Sequence, residues 1–256
     1  MSVFASTIPA AADAAISHAC VILAMTPNRG IGIKGKMPWR LSKELKYFTE
    51  VTKTVDPAIA AIHPSAQNVV IMGKKTYLSV SPKFRSLPGR VVVVVTHSTR
   101  AELDNAPEDV FITNEDFFWK EGHAYPTSLA ELLSCVCTHF AQDPEKYGTV
   151  FIAGGAELYN TIMQPDVKGY HLLPKKVYLS TIQLDNTVEC DTFVNEAYYP
   201  PNEADYTRII KGEDQTEKDI TFSCDVYERK DITLSHNAGG GERSIKDQEE
   251  KIEEVD

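Results

Sequence analysis

The sequence predicts an α/β fold: a doubly wound, mostly parallel sheet with helices on both faces and an antiparallel C-terminal strand. Three observations lead there. Short runs that are apolar on both faces, Cys20 to Met25 (CVILAM), Asn68 to Met72 (NVVIM) and Val91 to Thr96 (VVVVVT), are strands buried on both sides. Such strands mark a parallel sheet covered by helices on each face. Helical periodicity occupies the intervals between strands. Late in the chain, Lys176 to Ile182 and Thr221 to Arg229 form a closing antiparallel pair.

Each element follows from its residues. After the first strand comes a glycine-rich loop, Asn28 to Pro38, and then a helix beginning near Leu41. Its apolar stripe is Leu41, Leu45 and Phe48, at i, i+4 and i+7, and Glu44 falls on that face at i+3. An ionised carboxylate there is costly unless something pairs with it. No arginine or histidine lies one turn away on that face, since Arg40 stands at the helix start. The expected partner is a ligand offering two N–H groups. The alternative is a first-turn glutamate that complements the helix dipole.

Residues Thr52 to Gln67, broken by Pro57 and Pro64, read as a loop. Val110 to Thr113 is a short strand. Asn114 to Pro126 is a surface insertion, part of it packed down through Phe117, Phe118 and Trp119. Leu129, Leu132, Leu133, Val136 and Phe140 give Thr127 to Phe140 the spacing of a covering helix. Thr149 to Ala153 is a fifth strand, and Gly154-Gly155 opens a helix from Ala156 to Met163.

Residues 19–230 are expected to form a single domain. The alanine-rich stretch 1–18 contains no Lys or Arg, resembles neither a secretory signal nor a transit peptide, and is expected to be loose. The acidic tail 231–256 is expected to be disordered. With 26 basic and 36 acidic residues the net charge is −10, which argues against nonspecific nucleic-acid binding. Five cysteines without a CxxC pair read as reduced thiols of a cytoplasmic protein. No apolar run reaches the roughly 18 residues a membrane span needs.

Several short motifs carry possible chemistry. Gly30-Ile31-Gly32-Ile33-Lys34-Gly35 matches GxGxxG, but Pro38 forbids the helix which that fingerprint requires. A loop able to close over a site is what remains, with an ordinary glycine turn as the alternative. Gly73-Lys74-Lys75-Thr76 and Gly154-Gly155-Ala156-Glu157 each sit where a strand ends and a helix starts, so both are anion sites or plain turns. Two such ends in one domain suggest a pyrophosphate lying across the sheet. Arg90, after Leu87-Pro88-Gly89, is either a clamp for a substrate carboxylate or a solvated strand-edge arginine. His97 and Arg100 either meet another phosphate or face water. No Ser/His/Asp set and no paired metal ligands appear, so no metal is expected.

Taken together, Gly30-Ile-Gly-Ile-Lys-Gly-Lys-Met-Pro38-Trp39, Glu44, Val70-Ile-Met-Gly-Lys-Lys-Thr76, Leu87-Pro-Gly-Arg90 and Ile152-Ala-Gly-Gly-Ala-Glu-Leu-Tyr159 resemble the dihydrofolate reductase family from about Ala19 to Lys230. The form of the motifs resembles eukaryotic, and among them fungal, members. No fused thymidylate synthase is expected within the remaining residues. The resemblance implies NADPH-dependent reduction of dihydrofolate, with antifolates as further ligands, in a monomer that uses neither nucleic acid nor membrane. In this family the carboxylate at Glu44 accepts hydrogen bonds from pteridine N3 and the 2-amino group. Hydride passes to pterin C6, and a water carries the proton to N5. Burial against Leu45 and Phe48 is expected to raise the Glu44 pKa.

The remaining roles are likewise implied by the resemblance. Trp39 orders the catalytic region, Phe48 stacks on the pterin, and Met37 closes over it with the Gly30–Lys36 loop. Ile22, Leu87, Ala153 and Ser180 complete the substrate pocket, Phe84 flanks the aminobenzoyl ring, and Arg90 pairs with the glutamyl α-carboxylate. Gly30, Gly32 and Lys36 of the loop meet the cofactor, and Ala24 and Ile31 line the nicotinamide pocket. Gly73, Lys74, Lys75 and Thr76 bind phosphate. Gly154, Gly155, Ala156, Glu157 and Tyr159 cradle the pyrophosphate and nicotinamide side, and Thr96, His97 and Ser98 meet the 2′-phosphate. His97 stands where many relatives carry arginine, Ala153 where they carry valine or isoleucine, Ser180 for threonine and Met37 for leucine. Two rivals stay open: a reductase of the same fold acting on a pyrimidine intermediate of flavin synthesis, and a non-catalytic nucleotide-binding module.

Overall fold

The computed structural model describes residues 19–117, 125–164, 173–184 and 189–230. The side-chain alternation of the apolar strands sorts the core into two layers. From β1 (Cys20–Met25), Val21, Leu23 and Met25 point into one layer, while Cys20 and Ile22 point into the other. In β3 (Gln67–Gly73), Val69 and Ile71 face the first layer and Val70 and Met72 the second. Val93 of β4 (Val91–Val95) divides from Val92 and Val94 in the same way.

The other strands are β2 (Gly30–Gly32), β5 (Val110–Ile112), β6 (Tyr147–Ile152), β7 (Lys176–Gln183), β8 (Thr192–Phe193), β9 (Tyr206–Ile210), β10 (Gln215–Glu217) and β11 (Ile220–Arg229). The main sheet runs β10-β11-β7-β1-β6-β3-β4-β5, and β9 also pairs with β11. The pairings β7–β1–β6–β3–β4–β5 are parallel, and β11 joins β7 antiparallel. The fold is therefore the expected mixed sheet.

Five α-helices lie among the described residues: α1 (Ser42–Lys53), α2 (Pro57–Ile62), α3 (Lys74–Ser79), α4 (Leu129–Ala141) and α5 (Ala156–Ile162). Helices α4 and α5 cover the first layer through Leu132, Leu133, Val136, Phe140, Leu158 and Ile162. Phe48 and Val51 of α1 and Tyr77 of α3 cover the opposite side. Ser128 caps α4, its Oγ accepting from Glu131 N at 3.2 Å.

The structure corrects two expectations and adds an edge strand. The span Thr52 to Gln67 is not one loop, because α1 runs to Lys53 and α2 begins at Pro57. Proline at the first helical position loses no bond, and the Asp56 side chain caps the helix by accepting from Ala58 N at 2.8 Å. Within the glycine loop, Gly30–Gly32 is a strand paired with Thr192–Phe193. The edge strand β9 escaped notice because Thr207 to Ile210 are exposed and show no alternation. Phe117 packs into the core as expected, whereas Phe118, Trp119, residues 1–18 and residues 231–256 lie outside the described residues.

One buried polar side chain ties α1 to the sheet. Asn68, fully buried in β3, donates to Thr52 O at 3.1 Å and Thr54 O at 2.8 Å, and accepts from Thr149 N at 2.9 Å. Alanine there would strand three backbone groups. Asn68→Ala is expected to lower unfolding stability by about 2–4 kcal/mol. Urea denaturation checks this, and a loss under about 0.5 kcal/mol would mean those groups find other partners.

Candidate active site

Glu44 lies in the first turn of α1 and is 8% exposed. Ser180 of β7 donates from Oγ to Glu44 Oε1 at 3.2 Å. Among the described residues no cation lies within ion-pair distance of it. Burial raises its pKa above the ordinary glutamate range, and the Ser180 hydrogen bond opposes this with a smaller effect. The direction is as expected, but Leu45 contributes little because it is 57% exposed. Phe48, Val51 and Thr52 turn α1 so that Glu44 and Thr52 are its buried residues and Leu45 rotates outward. Trp39 packs with Leu41, Ile182, Phe222 and Cys224, and its buried Nε1 has no acceptor among the described residues.

A second cluster forms around Arg90, which is buried rather than solvated. Its Nη1 donates to Thr52 Oγ1 at 2.8 Å and its Nε to Leu87 O at 3.3 Å. Thr52 Oγ1 in turn donates to Phe48 O at 2.7 Å. Burial pulls the Arg90 pKa down, and no carboxylate among the described residues pairs with it. The turn that presents it is local: Arg90 N donates to Leu87 O at 3.1 Å, and Gly89 adopts φ +78°. Proline followed by a left-handed residue is the type II turn pattern, which selects Gly89. Phe48 and Ala153 bridge Ile22 on one side and Leu87 on the other, so four expected pocket residues meet.

Beside these clusters lies a cleft of about 860 Å³ at the carboxyl ends of β1, β3, β4 and β6. Its walls include Ala24, Ile31, Gly32, Lys36, Met37, Gly73, Lys74, Lys75, Thr76, Thr96, His97, Ala153, Gly154, Gly155, Ala156, Glu157 and Tyr159, all expected site residues. Ala24 pairs directly with Ser180 across β1 and β7, which joins the cleft to Glu44. Gly154 has φ +121°, and a Cβ on it would sit 3.3 Å from both Thr76 Oγ1 and Tyr159 Oη. A glycine pair thus brings bare backbone to the cleft wall. Lys74 Nζ donates to Ser98 Oγ at 2.7 Å, so a cation and hydroxyls gather at the ends of β3 and β4. Bare backbone at one end and a cationic, hydroxyl-rich edge at the other fit a phosphorylated dinucleotide.

Residues 18–229 match the model of the family described as dihydrofolate reductase. The chain belongs to the dihydrofolate reductase family. Among its relatives is a dihydrofolate reductase from Heliothis virescens, 30% identical over 82% of this chain and 96% of its own length. Another, from Candida albicans, is 29% identical over 83% and 97%, and one from Aedes albopictus is 31% identical over 82% and 96%. Membership in the dihydrofolate reductase family decides against the flavin-pathway and non-catalytic alternatives.

Not every residue implied by the dihydrofolate reductase motifs reaches the clusters. Gly30 is buried away from the cleft, where a Cβ would meet Cys190 Sγ. Phe84 lies at the surface, 53% exposed. Arg100 pairs with Asp116 at 2.7 Å and donates to Val110 O at 3.0 Å, so its guanidinium is engaged by the protein rather than facing water. Two contributors went unrecognised. Thr52 holds Arg90, and its signal was a polar residue eight positions after Glu44 on one helix face. Tyr125 lines the cleft and lies against His97 at 5.0 Å between ring centroids, with no sequence signal. No group of three metal-ligating side chains occurs among the described residues, and no described helix is long and apolar enough to cross a membrane.

Proposed function

We propose how the family's reaction, reduction of 7,8-dihydrofolate to 5,6,7,8-tetrahydrofolate, runs in this chain. Glu44 grips pterin N3 and the 2-amino group through both carboxylate oxygens, a charge-assisted fork. Ser180 steadies Oε1 from the opposite side. Phe48, Ile22, Leu87 and Ala153 form the apolar walls of the pterin site, and Met37 shields it from water. Arg90, held by Thr52, receives the glutamyl α-carboxylate. NADPH, when bound in the cleft, supplies the hydride to pterin C6. Trp39 Nε1, without an acceptor among the described residues, orients the water that brings the proton to N5. Burial raises the Glu44 pKa above the ordinary glutamate range, the direction that suits a carboxyl group close to a reacting proton.

The 2′-phosphate edge consists of Lys74, Thr96, His97 and Ser98. The single observation that carries this reading is a buried carboxylate, without a cation among the described residues, one sheet pairing from a dinucleotide-sized cleft. Spectrophotometric oxidation of NADPH tests it. Consumption is expected to depend on dihydrofolate and to be faster with NADPH than with NADH. No dihydrofolate-dependent oxidation of either would overturn the reading. Equal rates with both would remove the 2′-phosphate contacts.

A further inference from the structure

We propose that Cys224 is a positioning residue for Glu44: its thiol donates to Ser180 Oγ and so commits the Ser180 hydroxyl proton to the carboxylate. The inference rests on the reading of Glu44 given above. Cys224 and Ser180 are direct cross-strand partners in the β7–β11 ladder. Their Sγ and Oγ atoms are 3.4 Å apart, while the same Oγ lies 3.2 Å from Glu44 Oε1. Residue 224 was not a candidate on sequence grounds, because register alone brings it to this point.

The polarity of the chain follows from counting protons. A serine hydroxyl has one proton to give, an ionised carboxylate only accepts, and a thiol can do either. If Ser180 donated to sulfur, its lone pairs would face Oε1, and that oxygen would lose the Ser180 proton in a buried pocket. With the thiol as donor, the order Sγ–H to Oγ–H to Oε1 satisfies every atom. Ser180 and Cys224 are 2% and 8% exposed, so bulk water does not take over either role. Burial also raises the thiol pKa, which keeps the donor proton in place.

Other titratable groups near Glu44 do not compete. Tyr47 on α1 and Tyr159 on α5 feel its charge, but burial raises both phenols and holds them neutral. Tyr159 Oη is already committed to Ile22 O at 2.8 Å. Asp225, next to Cys224 on β11, is engaged by Gly212 N at 2.9 Å and Arg208 Nη1 at 3.3 Å.

The test reads the Glu44 carboxyl directly, by carbon-13 NMR of glutamate-labelled protein, with the signal assigned by its loss in Glu44→Gln. Cys224→Val removes the donor at similar volume, and Cys224→Ser retains one. Valine is expected to lower the Glu44 acid dissociation constant about threefold, consistent with a weak S–H donor. Serine is expected to leave it unchanged or raise it. In a Ser180→Ala background, Cys224→Val should cause no further shift. Parental titration in Cys224→Val, parallel shifts in both variants, or a shift that persists without Ser180 would each overturn the proposal. If the carboxyl titration moves as expected but the pH profile of dihydrofolate reduction does not follow it, the hydrogen-bond chain stands and the catalytic reading of Glu44 falls.

Discussion

Glu44→Gln is expected to lower dihydrofolate turnover by about a hundredfold or more, the usual scale for a group that handles a reacting proton. Glutamine offers one acceptor and one N–H₂ where the pterin presents two donors, so half of the fork becomes donor against donor. It also cannot ionise, and the acid side of the pH profile should disappear with it. Turnover within about threefold of the parent would remove the carboxylate from the chemistry.

Stability should move the other way. Because burial raises the folded-state pKa of Glu44, its ionisation disfavours the folded state. Relative stability is complete below the unfolded-state value and is lost as pH rises through the raised folded value. Above that window the glutamine variant escapes the penalty while keeping an oxygen for Ser180. Urea midpoints measured across this range should therefore favour the variant at neutral pH and converge with the parent in acid.

Arg90→Ala should raise KM for dihydrofolate by about two to three orders of magnitude. That is the scale for truncating one partner of a buried charge pair. A pterin substrate without the glutamyl tail should change little. The contrast is decisive because Arg90 also holds Thr52 Oγ1 and Leu87 O, so a purely structural role would harm both substrates equally. Lysine should recover only part of the loss, since a point charge cannot reproduce the bidentate fork.

How much of the site was legible depended on where its chemistry sits. Glu44 stood out because a carboxylate on a helix's buried side violates the pattern of its neighbours. Leu87-Pro88-Gly89 announced the turn before Arg90, and the glycine pair announced bare backbone at a strand end. These signals are local. Thr52 and Arg90 are 38 positions apart, and Ser180 and Cys224 are 44 apart, so no periodicity links either pair. The reading of Leu45 as buried failed for a related reason. Helical spacing defines a stripe only to within one side chain, and the packing of Phe48, Val51 and Thr52 set the final rotation.

By itself the sequence determined the layered α/β sheet, the strands buried on both sides and the motifs at their carboxyl ends. These follow from which residues tolerate burial and which backbone shapes proline and glycine permit. Only the tertiary structure decided which polar atom meets which. Ser180 reached Glu44, Thr52 reached Arg90, and Arg100 turned away to Asp116. Hydrogen-bond partners across a sheet are chosen by strand register and helix rotation, and both depend on the packing of the whole core rather than on any one segment.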